Sequence, residues 1–218
     1  KAKPQRAAVL GGIEGLKNRL QSPDQQERIV ALQQAVNYGD DGLKLVKEAS
    51  FQDKEELGKN PNTPEATLQQ LSRDHREVRK EVAKNSNTSV SLLQQLAQDE
   101  GGVVRGGVAE NPNTPVALLQ QLAQDEEWLV RGGVASNSNT PVELIHQLAL
   151  DEESSVRIAV TENDNTPEAL FQQLVLDEGV RKGVANHPKP PEALLYQLTQ
   201  DEESSIRIAV AENDNTPE

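Results

Sequence analysis

The sequence contains no cysteine and no methionine, and aromatic residues make up only 2% of its 218 residues. The absence of cysteine excludes disulfides, thiolate metal sites, cysteine nucleophiles and cysteine-ligated iron–sulfur clusters. Because aromatic residues are scarce, any core must consist of Leu, Val, Ile and Ala. The chain begins at Lys1 and lacks methionine, so we expect a processed or excised piece of a protein.

Long apolar runs and an excess of positive charge are also missing. No apolar stretch reaches the roughly 18–20 residues of a transmembrane helix, and no signal-like segment opens the chain. The formal net charge of −13 argues against a general affinity for nucleic acid or anionic membrane, since both require clustered cations. These features predict a soluble, cytoplasmic protein, and they leave its oligomeric state open.

The dominant feature of the sequence is an internal repeat. Aligned arginines recur at steps of 26, 26, 26, 24 and 26 residues, at Arg79, Arg105, Arg131, Arg157, Arg181 and Arg207. The short step reflects a two-residue deletion between Asp177 and Arg181, and we expect it to fall in a loop or at a helix start. A period of this length indicates a stack of small structural units.

Residues 111–126, NPNTPVALLQQLAQDE, illustrate the unit. We predict Thr114 as the N-cap of a first helix and Pro115 as its first residue, and Thr140 with Glu143 spells a capping box. A second short helix follows and ends at the Asn of the next repeat. Helices of about two turns do not persist alone in water, so stability must come from stacking. The sequence predicts an all-α solenoid of two-helix repeats without β-sheet.

Glycines recur just after the aligned arginines, as Gly106-Gly107, Gly132-Gly133 and Gly183. A glycine inside a helix costs about 0.5–1 kcal/mol relative to alanine. Repeated glycine at one position therefore predicts the close approach of a neighbouring group, and such a helix could also wind partly as 3₁₀.

The unit V-R-x-x-V-A-x-N-x-N-T-P-x-x-L-L-x-x-L-A-x-D resembles the leucine-rich repeat variant family of bacterial proteins. Residues 103–125 match nearly position for position, and the resemblance covers about Leu57 to Glu218. It implies a right-handed superhelix of alternating α and 3₁₀ helices. A known member carries a cysteine-bound iron–sulfur module, but this chain has no cysteine, so we predict no cluster and no other cofactor. His187 departs from the pattern, since Asn is usual at its position.

Residues 1–55 lack the repeat and resemble a HEAT-like helical pair, so we predict an N-terminal helical cap there. Its first helix is predicted from the apolar residues Val9, Leu10, Ile13, Leu16 and Leu20. Residues 56–218 then form the solenoid of about six repeats, the last incomplete. Because the sequence stops at Glu218 within a repeat, we expect the natural protein to continue.

Aspartate lies six residues before most of the aligned arginines. The pattern is typical of a ladder, meaning a series of equivalent bonds between neighbouring repeats. The residues are Asp99 and Arg105, Asp125 and Arg131, Asp151 and Arg157, and Asp201 and Arg207. We favour a structural ladder of charge-assisted hydrogen bonds in which Asp125 pairs with Arg131. The alternative is a track of arginines for an anionic partner.

Other titratable residues give weaker signals. The clusters at 125–127, 151–153 and 201–203 lack the spacing of calcium-binding loops, so we interpret them as solvated charges that complement a helix dipole. His75, His146 and His187 occupy unlike positions in separate repeats. We therefore predict neither a metal site nor a catalytic base.

The candidate binding surface is a row of mostly amide side chains on the first helices, opposite the leucines. Its residues are Gln70, Gln95, Gln120, Gln121, His146, Gln147, Gln173, Tyr196 and Gln197. We favour soluble filler left by duplication; the alternative is an amide-lined surface for an extended peptide, with specificity at His146 and Tyr196. Trp128 is either packed between helix ends or an exposed anchor.

These observations favour a non-enzymatic scaffold that presents an extended curved surface to a protein or peptide, with an acidic edge suited to a basic partner. Two other classes stay open. The chain is alternatively a spacer inside a longer multidomain protein, or a HEAT-like accessory or enzyme that acts on a cofactor or nucleic acid. The latter requires a concave pocket with perturbed ionisable groups.

Overall fold

A computed structural model describes residues 11–216 of the chain. Within these residues the structure contains sixteen α-helices, one 3₁₀ turn at Val36–Tyr38 and no strand. They form two compact units, divided between Asn113 and Thr114. The predicted helical positions of Val9 and Leu10 lie outside the described residues, as do Pro217 and Glu218.

Eight helices belong to each unit. In the first unit they are α1 Gly12–Arg19, α2 Gln25–Ala35, α3 Gly39–Glu48, α4 Phe51–Lys59, α5 Glu65–Leu71, α6 Arg76–Lys84, α7 Val90–Leu96 and α8 Gly102–Glu110. In the second they are α9 Val116–Leu122, α10 Trp128–Ser136, α11 Val142–Leu148, α12 Ser154–Thr161, α13 Glu168–Leu174, α14 Arg181–Asn186, α15 Glu192–Leu198 and α16 Ser204–Glu212.

Each repeat consists of a first helix of seven residues and a second helix of six to nine. In the first unit α4, α6 and α8 stack in order, and in the second α10 packs on α12 and α14 on α16. The predicted α-solenoid of two-helix repeats is thus confirmed within each unit. Both helices of the described repeats are α-helical, so the alternation with 3₁₀ helices that the resemblance implied is not found here.

The core consists of the apolar residues that the repeat pattern supplies. Leu118, Leu119 and Leu122 on α9 are buried, and so are Val130 and Val134 on α10. Burial contributes about 25 cal/mol per Å² of apolar surface. Because an isolated helix of two turns is unstable, this burial between neighbouring helices holds the fold together.

The starts of the first helices differ from the prediction. Pro115 and Pro141 are themselves the N-cap residues, and the helices begin one residue later. The Thr140 hydroxyl donates instead to the Val134 carbonyl at 2.6 Å, so the predicted capping box with Glu143 is wrong. The last carbonyls of a helix lack intrahelical partners, and the threonine satisfies one of them on the preceding helix.

The two-residue deletion falls at a helix start, as expected. The second helices of the regular repeats begin three residues before the aligned arginine, whereas α14 begins at Arg181 itself. Helix α14 is consequently the shortest, with six residues. The deletion therefore shortens one helix and leaves the flanking repeats in register.

The glycines do not share one role. A Cβ at Gly107 would lie 3.0 Å from the Lys80 carbonyl, whereas nothing lies within 4 Å of a Cβ at Gly132. A Cβ at Gly183 would lie 2.3 Å from the Thr161 hydroxyl. The predicted close approach is thus confirmed at Gly107 and Gly183 and is wrong at Gly132.

Candidate functional site

The aligned arginines join neighbouring repeats. Arg131 forms a two-pronged ion pair with Asp151 of the next repeat, with Nε to Oδ2 at 2.6 Å and Nη2 to Oδ1 at 2.9 Å. Its Nη1 donates to the backbone carbonyl of Asp125 at 2.8 Å. The carboxylate partner of Arg131 is therefore twenty residues later, and the predicted side-chain pairing with Asp125 is wrong. The Asp125 carbonyl precedes helix α10 and lies outside the hydrogen bonds of that helix, so it accepts this third hydrogen bond from Arg131.

The same geometry recurs in both units. Arg79 holds Asp99 at 2.6 and 2.9 Å and donates to the Asp74 carbonyl. Arg157 bonds Asp177, and Arg181 bonds Asp201. Arg105 and Arg207 donate to the carbonyls of Asp99 and Asp201.

Burial opposes ionisation of these aspartates, but the arginine contacts prevail. Burial alone would raise the pKa of Asp151, whereas its bonds from Arg131 and from the Glu153 backbone N–H lower that pKa below its ordinary value. The pKa of Asp99 is lowered in the same way, against burial, by Arg79 and the Gly101 N–H. The carboxylates are thus held ionised, which suits a structural rung.

The ladder also continues toward the N-terminus, which the sequence analysis missed. Lys54 occupies the aligned position on α4 and pairs with Asp74 at 2.9 Å, and Arg28 on α2 holds Asp53 by two bonds of 2.9 Å. Helices α2 and α4 begin three residues before Arg28 and Lys54, as regular second helices do. The sequence signal that could have revealed these two pairs is a basic residue three positions after the start of the helix. Helix α4 also crosses the predicted boundary at residue 55.

A second ladder of buried asparagines joins the repeats, and we did not predict it. The Asn111 side-chain amide donates to the carbonyls of Ala83 and Asn85 at 2.6 and 2.9 Å, and its Oδ1 accepts from the Asn113 N–H. Asn163 repeats these bonds in the second unit. The recurring N-x-N-T-P was the signal, but we assigned its Asn only to ending a helix. The conspicuous polar residues of the motif thus have structural partners.

His187 replaces asparagine in this ladder and keeps only part of its bonding. Its Nδ1 accepts from the Lys189 N–H at 3.0 Å, as an asparagine oxygen would. Its Nε2 is buried without a partner among the described residues. The ring packs on Phe171 with centroids 4.6 Å apart, and burial lowers the pKa of His187. It is therefore a neutral core residue at pH 7.

The candidate binding row lies exposed on the first helices, except for half-buried Gln70. His146 bonds the Val142 carbonyl of its own helix. Trp128 is 48% exposed, but it begins the second helix α10 and so stands apart from the row. The described side chains include no cluster of three or more potential metal ligands, and none of the described helices is long and apolar enough to cross a membrane.

The structure adds a groove that the amide row did not predict. It lies between α13 and α15 and has a volume of about 1180 Å³. Glu168, Gln172 and Leu176 form one wall at four-residue spacing, and Glu192 and Tyr196 lie on the other. Leu176 is 78% exposed and Tyr196 76%. Of the predicted row, this groove contains only Tyr196 and Gln197.

The corresponding groove of the first unit, between α5 and α7, is smaller and polar. Its volume is about 170 Å³, and Gln69 and Arg73 lie where the second unit has Gln172 and Leu176. Glu65, aligned with Glu168, already accepts a 2.6 Å hydrogen bond from the Ser89 hydroxyl. Glu168 and Glu192 have no such bond within residues 11–216. The second groove thus offers both uncommitted carboxylates and apolar surface.

Comparison with known proteins agrees with this all-α repeat architecture. Two family models match: the Leucine Rich Repeat Variant domain over residues 52–109 and the Leucine rich repeat variant over residues 102–127. A solved structure described as a leucine-rich repeat variant with a novel repetitive protein structural motif is also similar, with a TM-score of 0.57. Its sequence is 23% identical, and the match covers 90% of this chain and 79% of that chain. No curated protein shows significant similarity.

These matches define the class first: the chain is an all-α repeat protein with the fold of the solved structure. Residues 52–127 are similar to leucine-rich repeat variant repeats, as the sequence resemblance predicted. The fold is a structural repeat fold, so function must be argued from the surfaces of this particular chain.

Proposed function

We propose that the chain is a non-enzymatic scaffold that binds a protein or peptide through the exposed faces of its first helices. One observation carries this proposal. Most of the recurring arginines, aspartates and asparagines of the described repeats are engaged in ladders between repeats, whereas the first helices keep a regular row of polar side chains exposed. A repeated exposed row is the arrangement by which solenoids bind extended partners.

Electrostatics favours a basic partner. Residues 114–218 contain 19 Asp and Glu but only 6 Lys and Arg. A surface of one sign steers an oppositely charged partner and repels nucleic acid. We therefore infer that binding is strongest for cationic segments and weakens as salt rises.

Selection from a library of displayed random 12-residue peptides, followed by NMR mapping with isotope-labelled protein, tests the proposal. We expect enriched peptides to shift backbone amides of the first helices. Failure to enrich any peptide over a blank surface would contradict the proposal, as would shifts confined to the second helices.

A further inference from the structure

We infer that the groove between α13 and α15 docks a short segment of a partner protein that carries a basic residue three to four positions from an apolar one. This inference rests on the proposed function and names the partner's chemistry and the place where it docks. The segment's basic group faces Glu168 and Glu192, and its apolar group contacts Leu176 and Tyr196.

The groove has two chemically distinct ends. Glu168 and Glu192 are the first residues of their helices, whereas Leu176 follows the end of α13 and lies beside buried Val175. Because an α-helix rises about 1.5 Å per residue, the eight residues from Glu168 to Leu176 separate the acidic and apolar ends by roughly 12 Å. An extended chain covers that distance in three to four residues at about 3.3 Å each.

The exposure of the apolar end is unusual for this chain. Aligned residues at the position of Leu176 are Arg73, Gln98, Gln124, Leu150 and Gln200, and those at the position of Tyr196 are Gln69, Gln94, Gln120, His146 and Gln172. Three of the six repeats thus fold with polar residues at both positions. The fold does not require Leu176 and Tyr196 to be apolar, and their large exposed surfaces favour a contact with a partner.

Charge decides between possible occupants. Residues 114–218 of a second copy would bring another strongly acidic surface against this one, and an anionic membrane would be repelled in the same way. A cationic segment instead pairs with carboxylates that have no partner within residues 11–216. The combination of charge and apolar surface therefore selects a basic segment with an apolar anchor.

Four synthetic peptides, titrated into labelled protein and followed by NMR, test this inference. KRGSLL carries both features, EEGSLL reverses the charge, KRGSGG removes the apolar residues, and EEGSGG lacks both. We expect KRGSLL to shift amides of α13 and α15 and to bind at least tenfold more tightly than the other three. Equal binding of KRGSGG or EEGSLL would overturn the inference, because one of the two features would then be unused.

Substitutions locate the contact. Leu176→Gln combined with Tyr196→Gln uses the residue that most other repeats carry, so the fold is expected to persist, and it should weaken KRGSLL binding at least tenfold. Ile208→Gln removes an apolar residue that is 55% exposed on a second helix of the same unit, and it should leave binding unchanged. Unchanged binding in the double variant would overturn the inference.

The two proposals fail differently. If displayed peptides bind first helices elsewhere while KRGSLL does not bind, the docking groove is wrong and the scaffold function stands. If no displayed peptide binds anywhere, both proposals fail.

Discussion

The two units share one repeat but differ in charge. Residues 1–113 contain 16 basic and 16 acidic residues, whereas residues 114–218 contain 6 and 19. The first unit has a small groove beside Arg73, and the second has a large one beside Leu176. The ladders inside the units, however, have the same partners and nearly the same distances. Under the proposed function, stability and recognition therefore depend on different residues, and each can be altered separately.

The largest expected effect is on the ladder. In the Arg131–Asp151 pair the side chains are only 11% and 8% exposed, so Arg131→Ala leaves a nearly buried carboxylate without its partner. Removing one partner of a buried pair costs about 3–5 kcal/mol, and we expect about 2–4 kcal/mol here because some exposure remains. Urea unfolding monitored by circular dichroism measures this change.

Two further variants sharpen the comparison between units. Arg79→Ala breaks the matching pair of the first unit and should cost a similar amount. Arg207 is exposed and bonds only backbone carbonyls within the described residues, so Arg207→Ala should cost less than about 1 kcal/mol. Equal costs for Arg131→Ala and Arg207→Ala would refute the idea that the carboxylate bond stabilises the rung.

The next effect concerns the irregular repeat of the second unit. A Cβ at Gly183 would lie 2.3 Å from the Thr161 hydroxyl, and Thr161 stands where other repeats have alanine, such as Ala83 and Ala135. Overpacking of this kind costs about 1–3 kcal/mol. We therefore expect Gly183→Ala to lower the free energy of unfolding by that amount.

Thr161→Ala provides the control for this contact. In the double variant the added methyl group has room, so most of the loss should be recovered, and a double-mutant cycle measures the coupling. Additive effects of the two substitutions would show that the contact between Gly183 and Thr161 is irrelevant.

A smaller effect depends on pH. Because burial lowers the pKa of His187, the unfolded chain binds a proton more readily than the folded chain does. Stability is thus fully present above the ordinary histidine pKa of about 6.5 and falls as the pH drops below it. We expect His187→Asn to reduce the loss of unfolding free energy between pH 7.5 and 5.5, by up to about 1 kcal/mol.

The exposed His146 provides a matched substitution for this pH effect. His146→Gln introduces the residue found in neighbouring repeats and controls for the loss of a histidine as such. If His187→Asn and His146→Gln change the pH profile equally, His187 is not the source.

Periodic features of the fold were predictable because one observation could be checked in every repeat. The two-helix unit, the buried leucines and the position of the deletion all follow from spacing. The partners of Arg131 and Asn111 could not be predicted, because a bond to a neighbouring repeat depends on how the helices stack. The groove was also missed, because the position of Leu176 was not part of the predicted binding row. The groove becomes a candidate site only when the exposure of Leu176 is known and its side chain is compared with the aligned residues of other repeats.

The smallest expected effects have opposite signs at two adjacent positions of the repeat, the first and the second residue after the aligned arginine. Gly132→Ala meets nothing within 4 Å, so it should stabilise the second unit by about 0.5–1 kcal/mol through higher helix propensity. Gly107→Ala gains the same propensity in the first unit, but its Cβ would lie 3.0 Å from the Lys80 carbonyl and 3.1 Å from the Ala83 Cβ. Neither group can rotate away, so we expect a net loss of about 1 kcal/mol in thermal or urea unfolding. Stabilisation by both substitutions would mean that neighbouring helices in the first unit separate easily, and the close packing inferred at Gly107 would then be wrong.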